Sequence, residues 1–177
     1  MSSFVDGSMN TDGGANSAVW RERGVALALY VGLSAVGHLA WEVAQLPLYE
    51  LWHTASRSEI AFAVLHCTGG DVLIASSTLF ASFVVLRAWR WARLRVFQLA
   101  IVAGSLGIAY TSFSEWLNVY VRESWSYAPA MPTLPILGYQ IGVSPLAQWV
   151  FVPVAVFAAL ALLQRRYFLP RHGGPSA

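Results

Sequence analysis

The chain has 177 residues, of which 56% are apolar and only 11% charged, with a mean hydropathy of +0.53. That is the composition of a membrane protein, and a formal net charge of +2 is too small to argue for a nucleic-acid partner. The single cysteine, Cys67, excludes an internal disulfide framework and is expected to pack as a small hydrophobe, since it sits inside an apolar segment.

Residues 1–20 are rich in Ser, Gly, Asn and Asp and lack both an apolar run and the positive start of a secretory signal. They read as a disordered tail. Arg21 and Arg23 then precede the first apolar run, residues 24–46, which at 23 residues is long enough to cross a hydrocarbon core about 30 Å thick. Within it the stretch Gly37-His38-Leu39-Ala40-Trp41-Glu42 places an imidazole and a carboxylate four residues apart. On a helix this spacing puts both on one face. Pro47 ends the span, and residues 48–59 mix aromatic, apolar and charged side chains as a segment at headgroup level does.

A second span, residues 60–86, contains His66, Gly69-Gly70 and Asp71 and meets the basic turn Arg87, Arg90, Arg93, Arg95. On the plainer reading of Asp71, as a helix-to-helix hydrogen bond, Gly69-Gly70 lets a neighbouring helix approach it. The third span, residues 96–120, has a small-residue run (Ala103, Gly104, Ser105, Gly107) suited to close helix packing, followed by the polar Thr111, Ser112, Ser114, Glu115 and Asn118. Residues 121–140 hold three prolines and several aromatics, which excludes a continuous helix and predicts an ordered interfacial loop or lid. The fourth span, residues 141–163, carries Pro145, Gln148 and Pro153 before Arg165, Arg166 and a Gly/Pro/Ser-rich tail.

The expected fold is therefore all-α: a four-transmembrane-helix bundle over residues 21–169, with disordered tails at 1–20 and 170–177. All eleven basic residues are arginine; nine fall in the N-terminal flank, the second loop and the C-terminal flank, and two, Arg57 and Arg122, in the first and third loops. The positive-inside rule then puts both termini in the cytoplasm, and the expected location is the cell inner membrane. At 1.5 Å per residue, His38 and Glu42 lie roughly 21 and 27 Å above the cytoplasmic start of the first span, and His66 and Asp71 roughly 9 and 16 Å below the outer start of the second. Glu115, Asn118 and Gln148 fall in the same outer zone.

Intramembrane ionisable groups are costly and mark functional sites by default. His38, Glu42, Asp71 and Glu115 are the expected catalytic acids and bases, with His38 as proton donor or shuttle and Glu42 as its partner. His66, Asn118, Trp41, Trp125, Tyr127, Gln148 and Trp149 are the expected ligand-binding residues. A His and carboxylate set in a dry pocket suits proton transfer to and from an apolar lipid, with aromatics flanking a developing cation. Each residue also has a plainer reading: interhelical hydrogen bonding for the polar groups, interface anchoring or packing for the aromatics. GxSxG, HExxH, Walker A, CxxC and CxxCH motifs are absent.

His38-x-x-x-Glu42 near the outer end of one helix, Asp71 early in the next, Phe113-Ser114-Glu115 closing the third and Gln148-Trp149 in a short fourth together resemble the EXPERA family, which includes the emopamil-binding sterol isomerase and the sigma-2 receptor. The resemblance spans residues 24–163 as a pattern. It implies a small helical bundle with a lipid-accessible cavity, where His38 and Glu42 act on or near a sterol. A shorter stretch, Trp125-Ser126-Tyr127-Ala128-Pro129 followed by Gly138, Gly142, Pro145 and Trp149, is similar to carotenoid-type lycopene cyclase domains. Their paired acids are absent, since Ala147-Gln148 stands there, so cyclase activity does not carry over. Both resemblances imply an isoprenoid- or sterol-like ligand. No cofactor is expected on this reading; the alternatives are zinc, iron or b-haem held through His38 and His66, or a non-catalytic structural or assembly subunit. The expected partners are a membrane lipid or apolar small molecule, and a second copy of the chain in a homodimer.

Overall fold

The computed structural model describes residues 11–87 and 96–167. In chain order these form α1 (Thr11–Gln45), a 3-10 turn (Leu46–Leu48), the one-turn α2 (Leu51–Thr54), α3 (Arg57–Val85) and α4 (Val96–Trp116), which runs into a π-helical turn (Leu117–Val121). Strands β1 (Thr133–Ile136) and β2 (Tyr139–Gly142) follow, and α5 (Val143–Tyr167) closes the described chain. Four helical stretches are long and apolar enough to cross a membrane: Trp20–Leu48, Arg57–Val85, Val96–Val121 and Val143–Leu163. Helix α1 packs against α3 and α5, and α4 packs against the same two, so α1 and α4 stand at opposite corners of a square bundle.

Three expectations are altered. Helix α1 begins at Thr11, so the second half of the expected 1–20 tail is helical. Once the apolar run has nucleated a helix, adding residues costs little, and Arg23 further secures the Trp20 turn by lying 5.1 Å from the indole centroid. Residues 1–10, the basic turn Arg90, Arg93 and Arg95, and the 170–177 tail lie outside the described residues. The fold is also not purely helical, because residues 133–142 form a hairpin with Ile136 paired to Tyr139. Its two-residue turn has φ of 49° at Leu137 and 86° at Gly138, the left-handed geometry that matches strand twist. Glycine takes it at no cost, while leucine does so under strain.

The third alteration concerns glycine packing. A Cβ on Gly69 or Gly70 would meet nothing within 4 Å, so this pair admits no neighbour. Close approach occurs at Gly104 and Gly107 instead, the run expected to serve it. A Cβ at Gly107 would overlap the Trp149 ring, and one at Gly104 would lie 3.0 Å from the Trp149 carbonyl oxygen. Pro153 explains that second contact. Having no N–H, it leaves the carbonyl four residues back without its helical donor, and the bare glycine surface packs against the exposed oxygen. On the other side of α5, a Cβ at Gly37 would come within 2.9 Å of Val152 Cγ1. Thus α5 is seated between glycine faces of α1 and α4.

The apolar core, Tyr30, Ala75, Leu79, Leu99, Trp149, Val152, Val156, Phe157 and Leu160, fills the bundle between these contacts. Large apolar side chains such as Phe62, Leu73, Phe97 and Phe151 point outward and are exposed. At the other end of the core, helix entry is fixed by hydrogen bonds. Ser56 and Glu59 form a capping box at the start of α3, which satisfies two of the helix's unpaired N–H groups.

Candidate functional site

Tyr30, Ser34, His38 and Glu42 recur every four residues along α1 and are all buried, forming one polar stripe that faces the bundle interior. The stripe ends where α1 meets the start of α3, the end of α4 and the start of α5. There the structure forms a partly open cavity of about 310 Å³. Of the expected site residues, Glu42, Asp71, Glu115 and Gln148 line it, with His66, Asn118 and Trp125 completing the wall. The carboxyl groups come from α1, α3 and α4 and meet at one level, as depth counting along the helices expects.

The pairing within the cluster differs from the expected one. His38 and Glu42 do not hydrogen-bond each other, although they share a helix face. The His38 Nδ1 lies 2.7 Å from Gln148 Nε2 and 3.6 Å from Asp71 Oδ2. Gln148 Nε2 also donates to Asp71 Oδ2 at 2.8 Å. Glu42 Oε1 instead accepts from Gln45 Nε2 at 2.8 Å, and Gln45 Oε1 accepts from Ser144 Oγ at 2.9 Å. Glu42 and Asp71 are neighbours on the cavity wall. Two neighbouring buried carboxyl groups cannot both be charged without repulsion, so the pair is a natural holder of one proton.

His38 is 1% exposed and is not part of the cavity wall. Its ring packs at 5.0 Å from that of Trp149, and Gln148 and Asp71 separate it from the cavity. The imidazole therefore reaches a ligand only through them. Trp149 is likewise a packing residue, filling the surface left by Gly107. Trp41 turns away from the cavity: its Nε1 donates to Ser144 O at 3.2 Å and its ring stacks on Phe151 at 5.8 Å. The exposed His66 ring stacks on Phe62 at 5.6 Å. Since His38 is behind the wall and His66 is at the edge, the two histidines do not face a common space. Among the described residues no group of three or more His, Cys, Asp or Glu side chains is arranged to hold a metal ion. Cys67, expected to be a packing residue, does reach the cavity wall.

The opposite wall is built by the segment expected to act as a lid. Tyr127 OH donates to Glu115 Oε2 at 2.6 Å and accepts from Gly142 N at 2.9 Å. Tyr49 OH stands 3.5 Å from Glu115 Oε1, and the buried Trp125 Nε1 lies near the same carboxyl without hydrogen-bonding geometry. Burial, then the Glu115 carboxyl, push the Tyr49 and Tyr127 hydroxyls well above the usual phenol range, so both stay neutral donors. Backbone bonds from Glu50 N to Ser126 O at 3.1 Å and from Ala128 N to Leu48 O at 3.0 Å join the two connections. Tyr127 thus supports Glu115 from behind the cavity. The π-turn that ends α4, a feature frequent at functional sites, is closed by Arg122 N to Leu117 O at 2.8 Å. Beside it, Asn118 Nδ2 donates to Ser114 O at 2.9 Å.

Three contributors were not foreseen: Gln45, Tyr49 and Ser144. Gln45 had a local signal, since it lies three residues after Glu42 and so one turn further along the same face. Tyr49 and Ser144 gave none, because their roles depend on contacts with distant segments. No family model matches the chain, and no curated protein or solved structure matches it.

Proposed function

We propose that this chain is an integral membrane protein whose interhelical cavity binds an apolar, isoprenoid- or sterol-like lipid and exchanges protons with it. The observation that carries the reading is the meeting of three carboxyl residues, Glu42, Asp71 and Glu115, on the wall of one cavity inside an otherwise apolar bundle. Burying acids in this way is an expensive means of packing helices. The outward-facing Phe62, Leu73 and Phe97 suit contact with lipid chains. The arginine distribution favours four spans with both termini in the cytoplasm, which places the cavity in the outer half of the membrane.

In this reading Glu42 and Asp71 act as a general acid and base pair. One of them delivers the shared proton to the ligand, and the other accepts a proton in return. His38 serves as a proton reserve behind Asp71 rather than as a group that touches ligand. Glu115, held by neutral tyrosine donors, offers a fixed negative or hydrogen-bonding site on the far wall. The EXPERA-like His38-x-x-x-Glu42 pattern and the cyclase-like Trp125 to Pro129 segment support the same ligand class.

Photolabelling tests the ligand class. Isoprenoid and sterol probes carrying a diazirine should crosslink to peptides containing Ala63 or Val64, which line the cavity, and excess unlabelled ligand should suppress the signal. Labelling no stronger than that given by a phosphatidylcholine probe would count against a specific lipid site.

A further inference from the structure

Gln148 is 2% exposed, near the start of α5, and has no apolar role. A primary amide offers two N–H donors on one nitrogen and a carbonyl acceptor on the other side. Here the nitrogen is placed between two titratable groups, 2.7 Å from His38 Nδ1 and 2.8 Å from Asp71 Oδ2. Both N–H bonds are engaged, so neither facing atom carries a proton; a neutral His38 ring then holds its hydrogen on Nε2.

Turning the amide by half a revolution about its last side-chain bond exchanges oxygen for nitrogen with almost no change in shape. The oxygen would then require a donor from each neighbour, Nδ1–H from His38 and O–H from Asp71. Intermediate combinations set donor against donor or acceptor against acceptor in a buried place, where unpaired polar groups are costly. We propose that Gln148 is a two-position amide switch that makes His38 Nδ1 and Asp71 Oδ2 gain and lose their protons together.

The proton balance is explicit. In passing from the first state to the second, Asp71 Oδ2 takes one proton from water in the cavity that it lines. His38 Nδ1 takes another by the same route. The ring keeps its Nε2 proton and becomes imidazolium, for a net uptake of two. Beyond His38 the interior is closed by Tyr30, Leu79, Trp149 and Phe157, so protons reach the imidazole from the cavity side. The other titratable or charged groups on the cavity facing this set are Glu42 on α1, His66 and Cys67 on α3, Tyr110 and Glu115 on α4, Tyr49 on the connection after α1, and Arg122 just after the π-turn; α5 adds none at this level. The inference rests on these three side chains and holds whatever ligand occupies the cavity.

The test is nuclear magnetic resonance of the full-length protein, ligand-free in lipid nanodiscs, with 15N-labelled histidine and 13C-labelled aspartate. His53, His66 and His172 are replaced with Gln so that His38 alone reports. The expected result is the Nε2–H tautomer at the alkaline end. Acidification should then add the Nδ1 proton and the Asp71 proton at a single shared midpoint. In Gln148→Leu, which cannot bridge, the two midpoints should separate by about one pH unit or more. Gln148→Asn, an amide too short to bridge, should also separate them and serves if the leucine variant does not fold. Separate midpoints in the wild-type protein, or a shared midpoint that survives either substitution, would overturn the proposal. The wild-type titration decides even if both variants fail to fold.

Discussion

Replacing Glu42 with Gln should lower affinity for the cavity ligand by roughly ten- to hundredfold, the effect of losing a charged or proton-sharing hydrogen bond. It should also abolish any turnover while leaving the bundle intact. The substitution keeps shape, and the new amide oxygen can still accept from Gln45 Nε2, which now bonds Glu42 Oε1 at 2.8 Å. What it removes is the proton shared with Asp71. Binding of a fluorescent isoprenoid or sterol probe, followed beside thermal unfolding in the same detergent, separates the two effects. Unchanged affinity in a folded Glu42→Gln protein would remove Glu42 from the site.

The largest stability effect should follow Gly107→Leu. The Cβ alone would overlap the Trp149 ring, and neither partner can yield. Trp149 is packed against His38 on its other side, and α5 is held against Gly37 of α1 through Val152. Overpacking of this kind costs about 3 kcal/mol or more, which should lower the melting temperature by about 10 °C. Gly69→Leu is the matched control, because a side chain there enters open space and gains helix propensity. Equal melting temperatures for the two variants would contradict the seating of α4 on α5 through Gly107 and Trp149.

Much of this arrangement was legible in the chain. The spans follow from apolar runs of sufficient length, and the rise per residue brought Glu42, Asp71, Glu115 and Gln148 to one level before any contact was known. The same reasoning failed for His38 and Glu42 as a pair. A shared helix face gives proximity, but the partner of each functional group is set by what the other helices supply, here Gln148 and Asp71 for the imidazole and Gln45 for the carboxyl. The hairpin at 133–142 was hidden by Pro135 and its short strands, with Leu137-Gly138 as the one local sign of a two-residue turn. The bridge between Tyr49 and Tyr127 joins segments 78 positions apart along the chain, and periodicity carries no information at that range. Trp41 and Trp149 show a related limit: both sit at the level of the cavity, but rotation about the helix turns Trp41 against α5 and Trp149 into the α4 contact.

The central claim is that the cavity holds an apolar lipid beside its acids, and lipid mass spectrometry of the purified protein tests it most directly. The wild-type protein should retain an isoprenoid- or sterol-like lipid in near-stoichiometric amount after extraction in mild detergent. Ala63→Trp, which fills the cavity from α3 and leaves the carboxyl residues themselves unchanged, should lose it. Recovery of only bulk phospholipid from the wild-type protein, or equal retention by the folded Ala63→Trp variant, would contradict the account.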